Sequence, residues 1–184
     1  MAQEEQLVFG PTIEGLFVRG LKDKLAPALV NQLKGLGLDL TKPILPAYPR
    51  AVVNAAVLLT AKTLYPNDSL ADAFYKVGQH VSIGAFSTVL GTATLRLVKL
   101  VGPTRALQRI ARTFRTTNNY MTVALRELAP TDWELELSPS NDQPSYMQAV
   151  IEDVMKIAGA KELKVETVNH DKANERCTYR VRWS

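Results

Sequence analysis

The amino-acid sequence predicts an α+β fold, in which a helical lobe packs on a four-stranded antiparallel sheet (β-β-α-β-β) with one crossing helix. Apolar residues recur at helical spacing up to about residue 117, and after Asn118 their period changes from about 3.6 to 2. The strand-like segments follow the helices instead of alternating with them. That order favours an antiparallel sheet with the helices on one face.

The composition is that of an ordinary globular protein. The chain has 184 residues, of which 46% are apolar and 22% charged, so we expect a single domain over residues 1–184. Cys177 is the one cysteine, which excludes an internal disulfide and argues against a cysteine-based zinc site. Unpaired cysteine use and the absence of a signal-peptide pattern predict a cytoplasmic protein.

Six helical segments are predicted in residues 1–117, which we call the helical lobe. The expected N-caps are Thr12, either Asp68 or Ser69, and Thr104. A break or kink is expected at Gly84, and Gly102-Pro103 is expected to end a helix. Three prolines make residues 38–50 a loop. The uncharged stretch 77–95 holds seven polar residues, which predicts a buried helix pair and no membrane span. The helical segments are 12–20, 26–34, 50–64, 69–83, 86–100 and 104–114.

Residues 118–184, which we call the C-terminal lobe, alternate as strands do. Strands are predicted at 120–128, 133–137, 163–168 and 177–183, and a capping box of Ser145 and Gln148 starts a helix that Gly159 ends. Alternation also predicts that the Cys177 thiol is buried. If the second and fourth strands are neighbours, their outward residues make a cross-strand charge ladder of Glu134, Glu136, Arg180 and Arg182.

Three segments carry a family resemblance. They are LVFGPTIEGLF at 7–17, GLDL at 37–40 with PAYP at 46–49, and FRTTNNY at 114–120. Together they resemble a paralogous family of myxobacterial proteins to which no biochemical activity is assigned. The order of the lobes is similar to a superfamily that includes haem–nitric-oxide-binding domains, four-vinyl-reductase domains and vesicle-tethering subunits. That similarity implies a ligand between the lobes.

Departures from the motif of the haem-binding members argue against haem in this chain. Haem-binding members have a histidine ligand on a helix and a Tyr-x-Ser-x-Arg motif on a strand. Here the matching segment begins at Tyr120 but has Ala124 in place of the arginine, and the helical histidine, His80, comes early. We therefore predict no cofactor.

No catalytic or metal-binding constellation is visible. His80 and His170 are about ninety residues apart with no metal-ligand spacing. His170 lies in a polar turn, and His80 on an apolar helix reads as a hydrogen-bonded core residue or a polar contact in a pocket. Gly78, Gly84 and Gly91 allow close helix packing or form the floor of a groove. The sequence therefore predicts a protein that is not an enzyme.

The leading functional hypothesis is a module that binds a small hydrophobic ligand for sensing or scaffolding. We expect its pocket between the lobes, with aromatic walls and a polar group to orient the ligand. The predicted pocket residues are Tyr75, His80, Phe86 and Tyr120.

The alternative is a protein or nucleic-acid interaction module without a small-molecule ligand. No acid occurs between Arg96 and Arg126, and basic side chains follow one helix face. Such a stripe suits a protein partner or a homodimer more than nucleic acid, because the net charge is only +4. Six acids between 132 and 153 are available to neutralise it. The basic face consists of Arg105, Arg109, Arg112 and Arg115.

Overall fold

The computed structural model describes residues 4–87, 89–140 and 143–184, with the side chains at 86, 89–95, 97 and 111 outside that description. The helical lobe contains β1 (Leu7–Phe9), α1 (Gly10–Ile13), a π-helical segment (Glu14–Gly20), a 3₁₀ turn (Lys22–Lys24), α2 (Pro27–Gly35), β2 (Ala47–Pro49), α3 (Arg50–Leu64), α4 (Leu70–Phe86), α5 (Val89–Thr113) and a 3₁₀ turn (Phe114–Thr116). The C-terminal lobe contains β3 (Thr122–Ala129), β4 (Asp132–Ser138), α6 (Pro144–Ile157), β5 (Lys164–Asp171) and β6 (Arg176–Arg182).

The four-stranded sheet has the order β3-β4-β6-β5, and every neighbouring pair is antiparallel. Alternate residues of β4 and β6 are buried, and α6 packs over them through Met147, Ile151 and Met155. Cys177 belongs to this core. The predicted α+β class and the β-β-α-β-β arrangement are confirmed.

The outer face of the sheet carries the predicted charges, paired differently from a simple ladder. Glu134 lies opposite Arg180 in the register, but the Arg180 guanidinium donates two hydrogen bonds to Asp132, at 2.9 and 2.6 Å. Arg126 instead pairs with Glu134. Arg182 pairs with Glu166 of β5. Arg126 lies directly opposite Glu134, whereas Arg180 and Arg182 reach diagonal neighbours, which lie within range on a pleated sheet.

Helix starts depend on more than the capping pattern. Ser69 caps α4 as predicted, since its Oγ accepts a hydrogen bond from the Asp72 amide at 3.1 Å. Thr12 lies inside α1, and its hydroxyl donates to the carbonyl of Thr117 at 3.3 Å. The capping box predicted for α6 does not form, because Gln148 donates its amide to the carbonyl of Val165 instead.

Glycines bring backbones into contact where α4 crosses its neighbours. The predicted break at Gly84 is wrong, since α4 continues to Phe86. A Cβ on Gly84 would collide with the carbonyl oxygen of Gly15 in the π-helical segment. A Cβ on Gly78 would collide with the carbonyl oxygen of Tyr146 in α6. Gly78 and Gly84 therefore serve close packing, and the surroundings of Gly91 lie outside the described residues.

The second half of the helical lobe contains a backbone break at Gly102, where φ is 77° and ψ is 172° inside α5. A positive φ suits glycine, and Pro103 cannot donate the hydrogen bond that would continue the helix. The predicted end of a helix at this dipeptide is therefore confirmed. Among the described residues, no helix combines the length and the apolar character that crossing a bilayer requires.

Candidate functional site

A cavity of about 270 Å³ lies between the helical lobe and the C-terminal lobe. Part of the lining comes from α3, with Val53, Val57 and Leu58, and part from the first turn of α6, with Tyr146 and Met147. Most of the lining is apolar, with a few polar side chains among it. The lining residues are Val8, Thr12, Val53, Asn54, Ala55, Val57, Leu58, Phe74, Phe114, Thr117, Asn118, Tyr120, Met121, Gln143, Tyr146 and Met147.

Two tyrosines, Tyr120 and Tyr146, are among the polar residues of the cavity lining. Burial raises the pKa of Tyr120 and of Tyr146, so both phenols are neutral at physiological pH. In the part of the chain that the structure describes, neither hydroxyl forms a hydrogen bond with another residue, although the neighbouring Asn118 and Thr117 do. A neutral phenol can donate and accept a hydrogen bond. Both hydroxyls are therefore available to a ligand.

Arg50 fixes the position of Tyr120 at the seam between the lobes. Its guanidinium carbon lies 5.1 Å from the centroid of the Tyr120 ring. Its Nη2 donates to the carbonyl of Ser140 at 2.8 Å, and its Nη1 donates to Gln6 at 2.8 Å and to Glu175 at 3.2 Å. Only 13% of the Arg50 side chain is exposed. One side chain at the start of α3 thus links the N-terminal segment, the β4–α6 connection and the β5–β6 turn.

Two of the four predicted pocket residues lie elsewhere. The Tyr75 hydroxyl donates to Glu152 of α6 at 2.6 Å, and its pKa is raised by burial and by that carboxylate. His80 contacts the carbonyl of Gly20 through Nδ1 at 2.9 Å and the Tyr65 hydroxyl through Nε2 at 3.3 Å. Tyr120 lines the cavity. The side chain of Phe86 lies outside the described residues.

His80 is a satisfied structural histidine in this arrangement. Because a carbonyl only accepts, Nδ1 carries a proton and donates to Gly20, while Nε2 accepts from Tyr65. Burial lowers the pKa of His80. The neutral ring is thus the form that the fold favours.

This lowered pKa predicts a loss of stability on acidification. Below the unfolded-state pKa of about 6.5, the unfolded chain takes up a proton before the folded chain does, so the free energy of unfolding falls as the pH falls. Urea denaturation at about pH 7.5 and about pH 5.5, on either side of that value, will show a larger drop for the wild type than for His80→Gln. Asp153, whose pKa burial raises, acts in the opposite direction in both proteins and cancels in the comparison. An equal drop in the two proteins would contradict the assignment.

Sequence reasoning missed most of the cavity lining, including Tyr146, Met121 and Met147. A signal was present, because the FRTTNNY segment that carries the family resemblance supplies Phe114, Thr117, Asn118 and Tyr120 to the lining. The amphipathic pattern of α6 places Met147 on its buried side but does not indicate that the first turn borders a cavity.

Three of the four residues of the predicted basic face lie on the second half of α5, after Gly102. Arg105, Arg109 and Arg112 line one groove of about 560 Å³, together with Val101, Gln108, Thr113 and Thr116. Arg115 is exposed in the following 3₁₀ turn and is not part of that lining. Elsewhere in the described residues, no three histidine, cysteine or acidic side chains come together in a way that could hold a metal ion.

Solved structures share this fold at low sequence identity. An oxygen-binding H-NOX domain related to soluble guanylate cyclases, solved as its oxygen complex, is 16% identical with a TM-score of 0.64, over 95% of both chains. The Fe(II) unliganded H-NOX protein from K. algicida is 13% identical with a TM-score of 0.62, over 96% of both chains. An H-NOX protein studied for haem distortion is 18% identical with a TM-score of 0.64, over 95% of both chains. The chain therefore has the H-NOX fold.

These structures correct the prediction about cofactors. The sequence predicted no cofactor and disfavoured haem, but the same fold occurs in H-NOX proteins studied for haem distortion and for haem redox potential. The prediction that the chain takes no cofactor is therefore wrong. The replacement of the motif arginine by Ala124 and the early position of His80 do not remove haem from consideration.

The cavity itself does not fit a histidine-ligated haem. Neither His80 nor His170 belongs to the described lining, whose axial-ligand types are tyrosine phenols and methionine thioethers. Its volume of about 270 Å³ is just below the range of about 300–1,000 Å³ that is typical of ligand pockets.

The family assignment comes from the sequence model that matches nearly the whole chain. No curated protein matches the chain. The matching model is described as "Protein of unknown function (DUF2378)" and covers residues 6–184. The chain therefore belongs to the DUF2378 family, as the three resembling segments predicted.

Proposed function

We propose that this chain is a non-enzymatic cytoplasmic module that binds a small, largely apolar ligand between its lobes, for sensing or scaffolding. The observation that carries the proposal is the inter-lobe cavity, which has mostly apolar walls. Among the described residues, the hydroxyls of Tyr120 and Tyr146 in its lining form no hydrogen bond with the protein. Ligand sites typically combine apolar walls with a few polar groups that fix the orientation of the ligand.

The proposed ligand has an apolar body and one polar end. Val53, Val57, Leu58 and the methionines would contact the body through dispersion and burial. A hydroxyl, carbonyl or carboxyl group would pair with the phenols. Methionine side chains adapt to irregular shapes, so they tolerate a range of ligand outlines.

The side chains that could act as a nucleophile or a base support a non-enzymatic role. Covalent and acid–base catalysis need a nucleophile or a base aimed at a substrate. Among the described residues, His80 is occupied by Gly20 and Tyr65, and Tyr75 by Glu152. The tyrosines of the cavity have raised pKa values, which makes them poor bases at neutral pH. Their arrangement suits binding.

Haem is one occupant to be tested, because the solved structures with this fold include haem proteins. Iron ligation in the described lining would have to come from Tyr120, Tyr146, Met121 or Met147. A haemin complex of the protein should thus keep its absorption spectrum in His80→Gln. A changed spectrum would place the iron beside His80 and away from the cavity.

Filling the cavity tests the proposal directly. Ala55 lines the cavity, whereas Ala51, one turn earlier on α3, is exposed and does not. The full chain should take up haemin or the neutral dye N-phenyl-1-naphthylamine, and native mass spectrometry should reveal any ligand retained in purification. We expect Ala55→Trp to weaken uptake about tenfold or more, because the indole occupies the space of the ligand.

Ala51→Trp is the matched control and should bind as the wild type does. The proposal fails if the wild type neither retains nor takes up any of these molecules. It also fails if the two tryptophan variants bind equally well while both remain folded by circular dichroism.

A further inference from the structure

The basic groove on α5 is a second concave surface, and its residues Thr113 and Thr116 are chain neighbours of Phe114 and Thr117 in the lining of the inter-lobe cavity. Arg105, Arg109 and Arg112 follow one another at i, i+4 and i+7, all three are exposed, and all three line the groove. Residues at this spacing lie about 5–6 Å apart on one helix face. Three guanidinium groups therefore converge on one volume of about 560 Å³.

Three of the six acids that the sequence offered as neutralising partners form ion pairs elsewhere. Asp132 pairs with Arg180, Glu134 with Arg126, and Glu152 with Lys156. In the described part of the chain, no ion pair involves Arg105, Arg109 or Arg112. The sequence also has no acid between Arg96 and Arg126. The fold thus gathers three positive charges in the groove, and no acid among the described residues forms an ion pair with them.

The donors of the groove suit a tetrahedral oxyanion. The hydroxyls of Thr113 and Thr116 already donate to backbone carbonyls, at 3.0 and 2.7 Å, so the donors that remain are the guanidinium groups and the Gln108 amide. The planar guanidinium matches two oxygens of a phosphate at once, which an ammonium cannot do. We propose that the groove lined by Arg105, Arg109 and Arg112 binds the phosphate group of a phosphorylated ligand.

Nucleic acid fits the groove less well than a single phosphate group. Single-stranded nucleic acids are held by aromatic side chains on which the bases stack, and the described lining contains none. The net charge of +4 is also small for a protein that tracks a phosphate backbone. A phosphate ester or a lipid headgroup needs only the local cluster of arginines.

One neighbouring residue distinguishes a soluble phosphate from a lipid headgroup. Leu100 is 83% exposed and lies next to Val101 of the groove lining. An exposed leucine beside a basic cluster can enter the interface of an anionic membrane. A soluble ligand would make no use of it.

The experiment uses the full chain with two probes. Inorganic pyrophosphate is titrated by calorimetry, and phosphatidylcholine vesicles with and without phosphatidic acid are used in sedimentation. We expect one of the probes to bind and Arg109→Gln to weaken its binding about tenfold or more, because hydrogen bonds to charged groups are strong. Arg109→Lys keeps the positive charge but loses the paired N–H donors of the guanidinium. Its affinity for the probe should therefore lie between those of Arg109→Gln and the wild type.

Arg115→Gln removes an exposed arginine outside the groove and is the matched control, with an expected change of less than about twofold. Binding to phosphatidic-acid vesicles that Leu100→Ser weakens identifies a headgroup. Pyrophosphate binding that Leu100→Ser leaves unchanged identifies a soluble phosphate. The proposal is overturned if neither probe binds, if Arg115→Gln weakens binding as much as Arg109→Gln, or if only DNA or an acidic peptide binds. These results do not depend on the inter-lobe cavity.

Discussion

Gly84→Ala will destabilise the protein by about 3 kcal/mol or more, the upper part of the range for overpacked positions. A Cβ at this position would collide with the carbonyl oxygen of Gly15 and lie 2.9 Å from the Gly20 nitrogen. Both neighbours are backbone atoms, which cannot rotate away as the end of a side chain can. Alanine gains about 1 kcal/mol over glycine from helix propensity, and the collision exceeds that gain. Urea denaturation will measure the loss.

Gly35→Ala is the control for this prediction. Gly35 is the last residue of α2, and a Cβ there would meet no atom within 4 Å. The variant should be neutral or slightly stabilising, because only the unfolded state loses freedom. If Gly84→Ala unfolds at the same urea concentration as Gly35→Ala, then the π-helical segment and α4 do not approach as closely as described.

The elements of this fold could be predicted where the signal is local. Alternation along β4 and β6 is visible in seven residues each, and it predicts which side of the strand is buried. Ser69 caps α4 because the interaction spans three residues. The break at Gly102–Pro103 likewise depends only on the two residues themselves.

Prediction failed where the outcome depends on a partner distant in sequence. Gly84 resembles a helix breaker in the sequence, but its role is set by Gly15, which lies on another segment. Gln148 resembles half of a capping box, yet the carbonyl of Val165 on β5 binds its amide. Local patterns report propensity, and tertiary contacts override it when a buried polar atom needs a partner.

The candidate site was only partly predictable for the same reason. Tyr75 and His80 have the residue types of a pocket, but Glu152 and Gly20 occupy their polar atoms. Which side chains border the cavity depends on the distance between α3 and the first turn of α6. The spacing of apolar residues within either helix does not indicate how far apart the two helices lie.

Arg50→Ala will lower the free energy of unfolding by about 2–4 kcal/mol, since the charged hydrogen bond to the Ser140 carbonyl contributes about 1.5–3 kcal/mol and the cation–π contact about 0.5–1 kcal/mol. The variant leaves the carbonyl of Ser140, a buried residue, without its donor. It also removes the guanidinium from the ring of Tyr120. Since Tyr120 lines the cavity, the variant should weaken uptake of the neutral dye as well as stability.

Two variants distinguish the loss of the contacts that Arg50 makes between the lobes from a general effect of removing a positive charge. Arg50→Lys keeps a cation near Tyr120 but cannot bond to Ser140, Gln6 and Glu175 in one geometry, so its stability should lie between Arg50→Ala and the wild type. Arg126→Ala removes an exposed pair with Glu134 and should cost at most about 1 kcal/mol. If Arg50→Ala is no less stable than Arg126→Ala, the contacts of Arg50 do not hold the lobes together. Dye uptake would then have no reason to depend on Arg50.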